Sequence, residues 1–380
     1  MIKSKPLDDP TPSPQSQQKL LELDLLRVLA IALVLYCHST AYLGWSAHVN
    51  ELMKYPGPIG VGLFLCLSGF LCQRSQNKKK SKRTRWEVFR KRLIRIFPLY
   101  WLALFTFIVI FHVLSIFHNL DFSPLPATTV AHFFGLQLFL RSRYISHIPT
   151  LWYIGALVTY YGFFILMSRF KFKNFLILNV LFFALVILLK IVLKHQSIHL
   201  VENRIIMNYP LFLAGVIAGR FDSNLLYLKR HAMKFTLGLG IVAFLLFRVV
   251  DSESITRPHN FLIGWVDLRF YSYIFLWALF FINLGILVTP FMLKFSQPIE
   301  YLSKISYAVY LFHRPVYALI YGLLLGINLG STTIRTLIFP IATLLVLLAS
   351  HYITRFDIKV LKPKATQVMS KLFPKTATRG

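Results

Sequence analysis

Acidic residues are scarce in this chain: 14 Asp and Glu stand against 42 Lys and Arg, and only 15% of residues are charged. Soluble domains carry about 25% charged residues, so an ordinary soluble globular fold is excluded. The three cysteines, Cys37, Cys66 and Cys72, lie in apolar segments and lack the paired spacing that zinc ligation needs. They read as buried packing thiols, and no metal site is expected. No convincing internal repeat is present, and no second soluble domain. The first 22 residues are polar, carry Pro6, Pro10, Pro12 and Pro14, and have no apolar core of their own. They read as a short disordered cytoplasmic tail rather than a signal peptide.

What the chain has in abundance is apolar surface: 56% of residues are hydrophobic and 16% aromatic, with a mean hydropathy of +0.60. Repeated apolar runs of about 20 residues predict an all-α, polytopic transmembrane bundle. The net charge of +28 has no recognisable nucleic-acid module beside it, so nucleic acid is not an expected partner. Basic loops that set orientation on the cytoplasmic side account for it. The predicted crossings are 23–44, 57–73, 97–117, 150–168, 174–193, 206–220, 234–250, 270–290, 304–325 and 333–352. A further apolar piece, 127–140, is short and carries His132 and Gln137. If it does not cross, both termini are cytoplasmic and most of the Lys and Arg lie inside; if it does, the bias largely vanishes. It is therefore read as re-entrant or interfacial, beside about ten crossings.

Arg27 and His38 stand eleven residues apart within the first apolar run. Eleven steps of a helix return both side chains to within about 20° of one face, about 16 Å apart along the axis. Ionisable groups inside a spanning helix are costly and rarely face lipid, so the pair reads as a site for the two ends of a long ligand. Between spans two and three, the basic run Lys78 to Lys82 suits anionic lipid headgroups. From Trp86 onward, Phe89, Leu93, Ile94 and Phe97 recur at helical spacing, predicting an amphipathic cytoplasmic helix that feeds span three. Arg92 and Arg95 are neighbours on its surface, and their guanidinium forks suit a multiply phosphorylated ligand. Gly57, Gly60, Gly62 and Gly69 read first as close helix packing and second as a substrate face.

Four stretches together resemble the membrane acyltransferase-3 family, which includes bacterial O-acetyltransferases of cell-surface polysaccharides. They are Leu23-Asp24-Leu25-Leu26-Arg27 through His38, Gly60-Val61-Gly62-Leu63-Phe64 with Leu67-Ser68-Gly69-Phe70, Arg92 through Trp101, and Ser306-Tyr307 through His313-Arg314-Pro315. They occur in the family's order and span about 23 to 315. One departure stands out. Family members often carry Trp-Ser-Leu-x-x-Glu before a Tyr-rich stretch; here Trp152 and Tyr160-Tyr161 remain and the acid is missing.

The resemblance implies a membrane acyltransferase domain over 23–353, followed by a basic cytoplasmic tail, 354–380. It implies acyl-coenzyme A as co-substrate, acetyl-coenzyme A being the expected form, held by Arg92, Arg95 and Arg27. It further implies His38 as catalytic base toward a hydroxyl of a sugar, glycan or lipid-linked acceptor; a transient acyl-histidine remains the alternative. Ser68, Gly69, Trp152, Ser306, Tyr307, Tyr310 and His313 are expected to line the substrate site or support it. For His313, next to the helix-bending Pro315, a supporting role is favoured over a direct one. Outer-loop residues Tyr144, His147, Trp265 and Asp267 are candidates for gripping the acceptor. The rival class is a carrier of a glycan intermediate or acyl group, against which stands the absence of paired broken helices. The expected location is a bacterial inner membrane.

Overall fold

The computed structural model describes residues 14–43, 55–77, 85–118, 126–139, 148–195, 202–221, 225–247, 265–326 and 332–372. Among them the secondary structure is helical throughout. The elements are α1 (Pro14–Leu43), α2 (Pro56–Asn77), α3 (Arg85–His118), α4 (Pro126–Phe134), α5 (Trp152–Met167) and α6 (Phe172–His195). They are followed by α7 (Asn203–Arg220), α8 (Leu225–Phe247), α9 (Trp265–Val288), α10 (Ser296–Gly326), α11 (Thr332–Phe356) and α12 (Lys362–Leu372). Among the described residues, five helical stretches are long and apolar enough to cross a membrane: Pro56–Asn77, Trp86–Ile116, Phe172–Val192, Leu268–Leu324 and Thr333–Lys371. The fourth holds both α9 and α10, joined by the 3-10 turn Thr289–Phe295. Trp152–Met167 and His231–Leu246 are apolar but shorter.

α2 sits at the centre, packed against α1, α5, α7 and α9. Its glycines explain how. A side chain at Gly57 would strike Cys37, and one at Gly60 would strike the Ala30 carbonyl, so α1 lies almost backbone to backbone with α2. On another face, Gly69 meets the Phe212 carbonyl while Gly215 and Gly219 of α7 meet the carbonyls of Cys66 and Phe70. In lipid, where no hydrophobic gain separates helix from helix, such close approach supplies the van der Waals contact that holds them together. α10 packs against α1, α3 and α11. α6 instead shows Val180 and Leu181 outward, 69% and 59% exposed, as a lipid-facing helix would.

The piece at 127–140 behaves differently from its neighbours. Its helix α4 has nine residues, about 14 Å of rise against a hydrocarbon core of about 30 Å. It ends at Gly135, whose φ of 71° is left-handed. Gly135 N–H reaches the His132 carbonyl at 3.0 Å and Leu136 N–H reaches the Ala131 carbonyl at 2.7 Å, the paired bonds of a glycine-terminated helix. Tyr100 donates to the His132 carbonyl at 2.6 Å, and the Trp101 indole donates to Phe133 O at 2.8 Å. α3 thereby satisfies backbone acceptors that an interrupted helix leaves open.

α3 runs unbroken for 34 residues, carrying Pro98 within it, so the amphipathic segment from Trp86 and the apolar run beyond are one helix. The run Lys78–Lys82 lies outside the described residues. The chain beyond Phe356 continues through a π-helical turn, Asp357–Leu361, into α12, which packs against α3.

Candidate active site

A cavity of 1120 Å³ opens between α1, α2, α3, α5, α10 and the end of α11. Pockets for drug-sized ligands span about 300–1,000 Å³, so this one has room for a larger, extended molecule. Its outer rim is polar and exposed, with Lys91, Arg95, Glu300 and Lys304. Deeper walls are apolar, formed by Leu67, Leu71, Leu99 and Leu157, and the aromatic rings of Phe64, Tyr153 and Tyr310 stand together among them. Tyr153 and Tyr310 are 5.1 Å apart between ring centres, and Phe64 lies 6.2 Å and 6.1 Å from the two.

Charge along the cavity is unevenly matched. Arg27 Nη1 bonds to Asp24 Oδ1 at 2.6 Å, and Ser303 Oγ donates to the same oxygen at 2.6 Å. Lys304 pairs with Glu300 at 2.7 Å and Lys362 with Asp357 at 2.6 Å. Among the described residues, Lys91, Arg92 and Arg95 have no carboxylate within salt-bridge distance. Arg92 rests over the Tyr161 ring, 5.0 Å from its centre, and its Nη1 approaches the Tyr161 hydroxyl at 3.3 Å. Cations grouped in this way repel one another, and an incoming polyanion is the natural partner that relieves it.

The two histidines meet at the other end of α1. His38 Nδ1 lies 2.9 Å from the Val34 carbonyl, and His313 Nδ1 lies 2.8 Å and 3.1 Å from the carbonyls of Tyr310 and Val309. A carbonyl only accepts, so both imidazoles in their neutral form carry the proton on Nδ1. His313 Nε2 then faces the His38 Nδ1–H at 3.4 Å, with ring centres 5.0 Å apart. Among the described residues nothing bonds to His38 Nε2, which keeps its lone pair. His313 is completely buried and lies 6.1 Å from the Tyr310 ring, so the imidazoles sit one aromatic layer behind the cavity.

The cavity thus gathers Arg27, Arg92, Arg95, Ser68, Ser306, Tyr307 and Tyr310 of the sequence-predicted residues. Ser306 donates to the Ser303 carbonyl at 2.8 Å, and Tyr307 donates to the Ile96 carbonyl at 3.0 Å, tying α10 to α3. Tyr310 donates to the Thr150 carbonyl at 2.7 Å. His38 and His313 lie behind the wall. Gly69 and Trp152 do not line the cavity: Gly69 faces α7, and Trp152 lies under the Arg204 guanidinium, 5.3 Å from the ring centre. Arg204 pairs with buried Glu202 at 2.9 Å. The start of α7 therefore brings a carboxylate into the neighbourhood of the tryptophan whose own segment lacks one. Tyr161, Ser303, Asp357 and Lys362 were not anticipated. Local signals exist for Ser303, one helical turn before Ser306, and for Tyr161, in the retained tyrosine pair. The side chains of Tyr144, His147, Trp265 and Asp267 lie outside the described residues.

No curated protein and no solved structure matches the chain. A family model does, the acyltransferase domain of the acyltransferase-3 family, over residues 20–355. That interval holds the cavity's arginines, the aromatic layer and both histidines, together with the apolar helices of an integral membrane protein. With nearly its whole length matched, the chain belongs to the acyltransferase-3 family.

Proposed function

We propose that this membrane acyltransferase is an O-acetyltransferase with ten crossings and both termini cytoplasmic, set in a bacterial inner membrane. It moves an acetyl group from cytoplasmic acetyl-coenzyme A to a hydroxyl of a sugar, cell-surface glycan or lipid-linked acceptor. One observation carries the reading: a cavity runs from cations that lack a carboxylate partner to an aromatic layer adjoined by His313, which in turn meets His38, whose Nε2 is left for chemistry. Arg92 and Arg95, with Lys91 beside them, bind the donor's phosphates at the basic rim, which positive-inside charge bias assigns to the cytoplasm. Arg27 steers the chain inward, and the thioester lies at the Phe64–Tyr153–Tyr310 layer. Rotation of these rings admits it to His38.

The chemistry needs one base. His38 Nε2 takes the proton of the acceptor hydroxyl as that oxygen attacks the thioester carbonyl; the new C–O bond forms, the C–S bond breaks, and the thiolate leaves with the proton from the imidazolium. The positive charge that grows on His38 is shared through Nδ1–H with the Val34 carbonyl and His313 Nε2, both already aimed at it. His313 thus acts as a positioning residue, much as an acceptor behind a catalytic histidine does elsewhere. Basic rim and lipid-facing helices also suit contact with anionic headgroups.

Purified protein in detergent, incubated with radiolabelled acetyl-coenzyme A and a pool of cell-envelope glycans, tests this. Wild type labels an acceptor and His38→Ala does not, while both bind coenzyme A. Protein that neither binds coenzyme A nor transfers label, yet moves a glycan intermediate across a vesicle membrane, would overturn the enzyme in favour of a carrier.

A further inference from the structure

The family-matched region ends at residue 355, but the cavity does not. Asp357, Ile358, Lys362 and Thr366 line it too, projecting from the π-helical turn and from α12. The turn itself has a local cause. Pro363 has no N–H to offer the helix ladder, and Lys362 N–H bonds instead to the Asp357 carbonyl five residues back. This wide turn aligns Asp357 with Lys362, and one further turn brings Thr366 to the same side. Such π-turns are often found at functional sites.

Asp357 is only 1% exposed. Its Oδ2 holds Lys362 at 2.6 Å, while its Oδ1 is buried with no hydrogen-bond partner. A buried carboxylate oxygen without a hydrogen-bond partner is expensive, and this one belongs to a residue of the cavity wall. Beside it, Lys362 keeps 33% of its side chain accessible, and its ammonium, with three N–H donors, can meet an incoming phosphate while still holding Asp357. Thr366, whose hydroxyl donates to the Lys362 carbonyl at 2.8 Å, stands at the exposed rim with its oxygen able to accept.

We infer that this C-terminal segment reads the nucleotide end of the donor: Lys362 holds the ribose phosphate, and Asp357 Oδ1 accepts a hydrogen bond from a hydroxyl or amino group of the nucleoside. The inference rests on the acyl-coenzyme A reading above and adds residues that lie outside the matched domain. The order along the cavity favours it. The apolar inner walls suit a slender arm and a thioester, and the polar rim is where a bulky, charged nucleotide finds partners. Arg92 and Arg95 then hold the pyrophosphate, and Lys362 separately holds the ribose phosphate.

The test is equilibrium binding of coenzyme A and of 3′-dephospho-coenzyme A to the full chain in detergent. Wild type should prefer coenzyme A by about tenfold, the worth of one charge-assisted contact. Lys362→Ala should erase that preference while leaving dephospho-coenzyme A affinity unchanged, and Lys362→Arg should restore it. Asp357→Leu should weaken both ligands. A general loss of folding would lower both affinities together in Lys362→Ala, and that result, or an unaltered preference, would overturn the inference alone. Failure of wild type to bind coenzyme A at all would overturn the donor reading as well.

Discussion

α1 and α10 meet at two levels, and the two meetings are built differently. Near the basic rim, Arg27, Asp24 and Ser303 hold one another through flexible side chains facing a cavity. Near the far end, His38 and His313 are each pinned by carbonyls three or four residues earlier on their own helices. The first set can exchange partners when an anion arrives; the second moves only if a helix moves. In the proposed mechanism the adjustable contacts serve binding and the fixed ones proton transfer, which demands a defined lone pair in a defined place. The contrast assigns different kinetic signatures to substitutions at the two levels.

The largest effect is expected at the fixed level. His38→Ala should lower kcat by about a thousandfold, within the range of a lost general base, with coenzyme A affinity unchanged in a binding assay. At the adjustable level, Arg92→Ala combined with Arg95→Ala should weaken coenzyme A binding by about a hundredfold, since contacts to ionised groups are worth about 1.5–3 kcal/mol each. Its single-turnover rate at saturating donor should stay close to wild type; equal losses in both measurements would erase the distinction between the levels. His313→Ala should lower kcat about tenfold at constant KM, and His313→Gln, which again offers an acceptor to His38 Nδ1–H, should recover part of it. Smallest of all, Ser303→Ala removes one of two hydrogen bonds to Asp24 and should cost donor affinity about fivefold, equivalent to about 1 kcal/mol.

What could be read from the sequence followed the range of the interactions involved. The shared stripe of Arg27 and His38 is a property of one helix, and so is the proximity of Arg92 and Arg95; helical periodicity exposes both. Pairing of His38 with His313 joins residues 275 positions apart, and no local pattern encodes it. The seat of Arg92 on Tyr161 and the approach of Glu202 and Arg204 to Trp152 depend likewise on which helices become neighbours. Gly69 shows the ambiguity of small residues: a glycine beside a serine in a conserved-looking motif and a glycine that admits another backbone are the same letter, and only the position of α7 distinguishes them. Asp357 and Lys362 carry no sequence signal because a basic terminal stretch after the last apolar run reads as a tail, whereas the helix continues through the π-helical turn and packs along α3.

Under the acyl-coenzyme A reading proposed above, the parallel course of α1 and α10 would let the molecule measure its donor. With the backbone positions of Arg27 and His38 about 16 Å apart along one rigid rod, the reach of a donor's arm would become a criterion of acceptance. A small activated acyl phosphate could satisfy the anion end or present its carbonyl to the imidazole, but it is too short to do both at once. Discrimination against such abundant short donors would then come from backbone rise alone, without any residue dedicated to rejecting them.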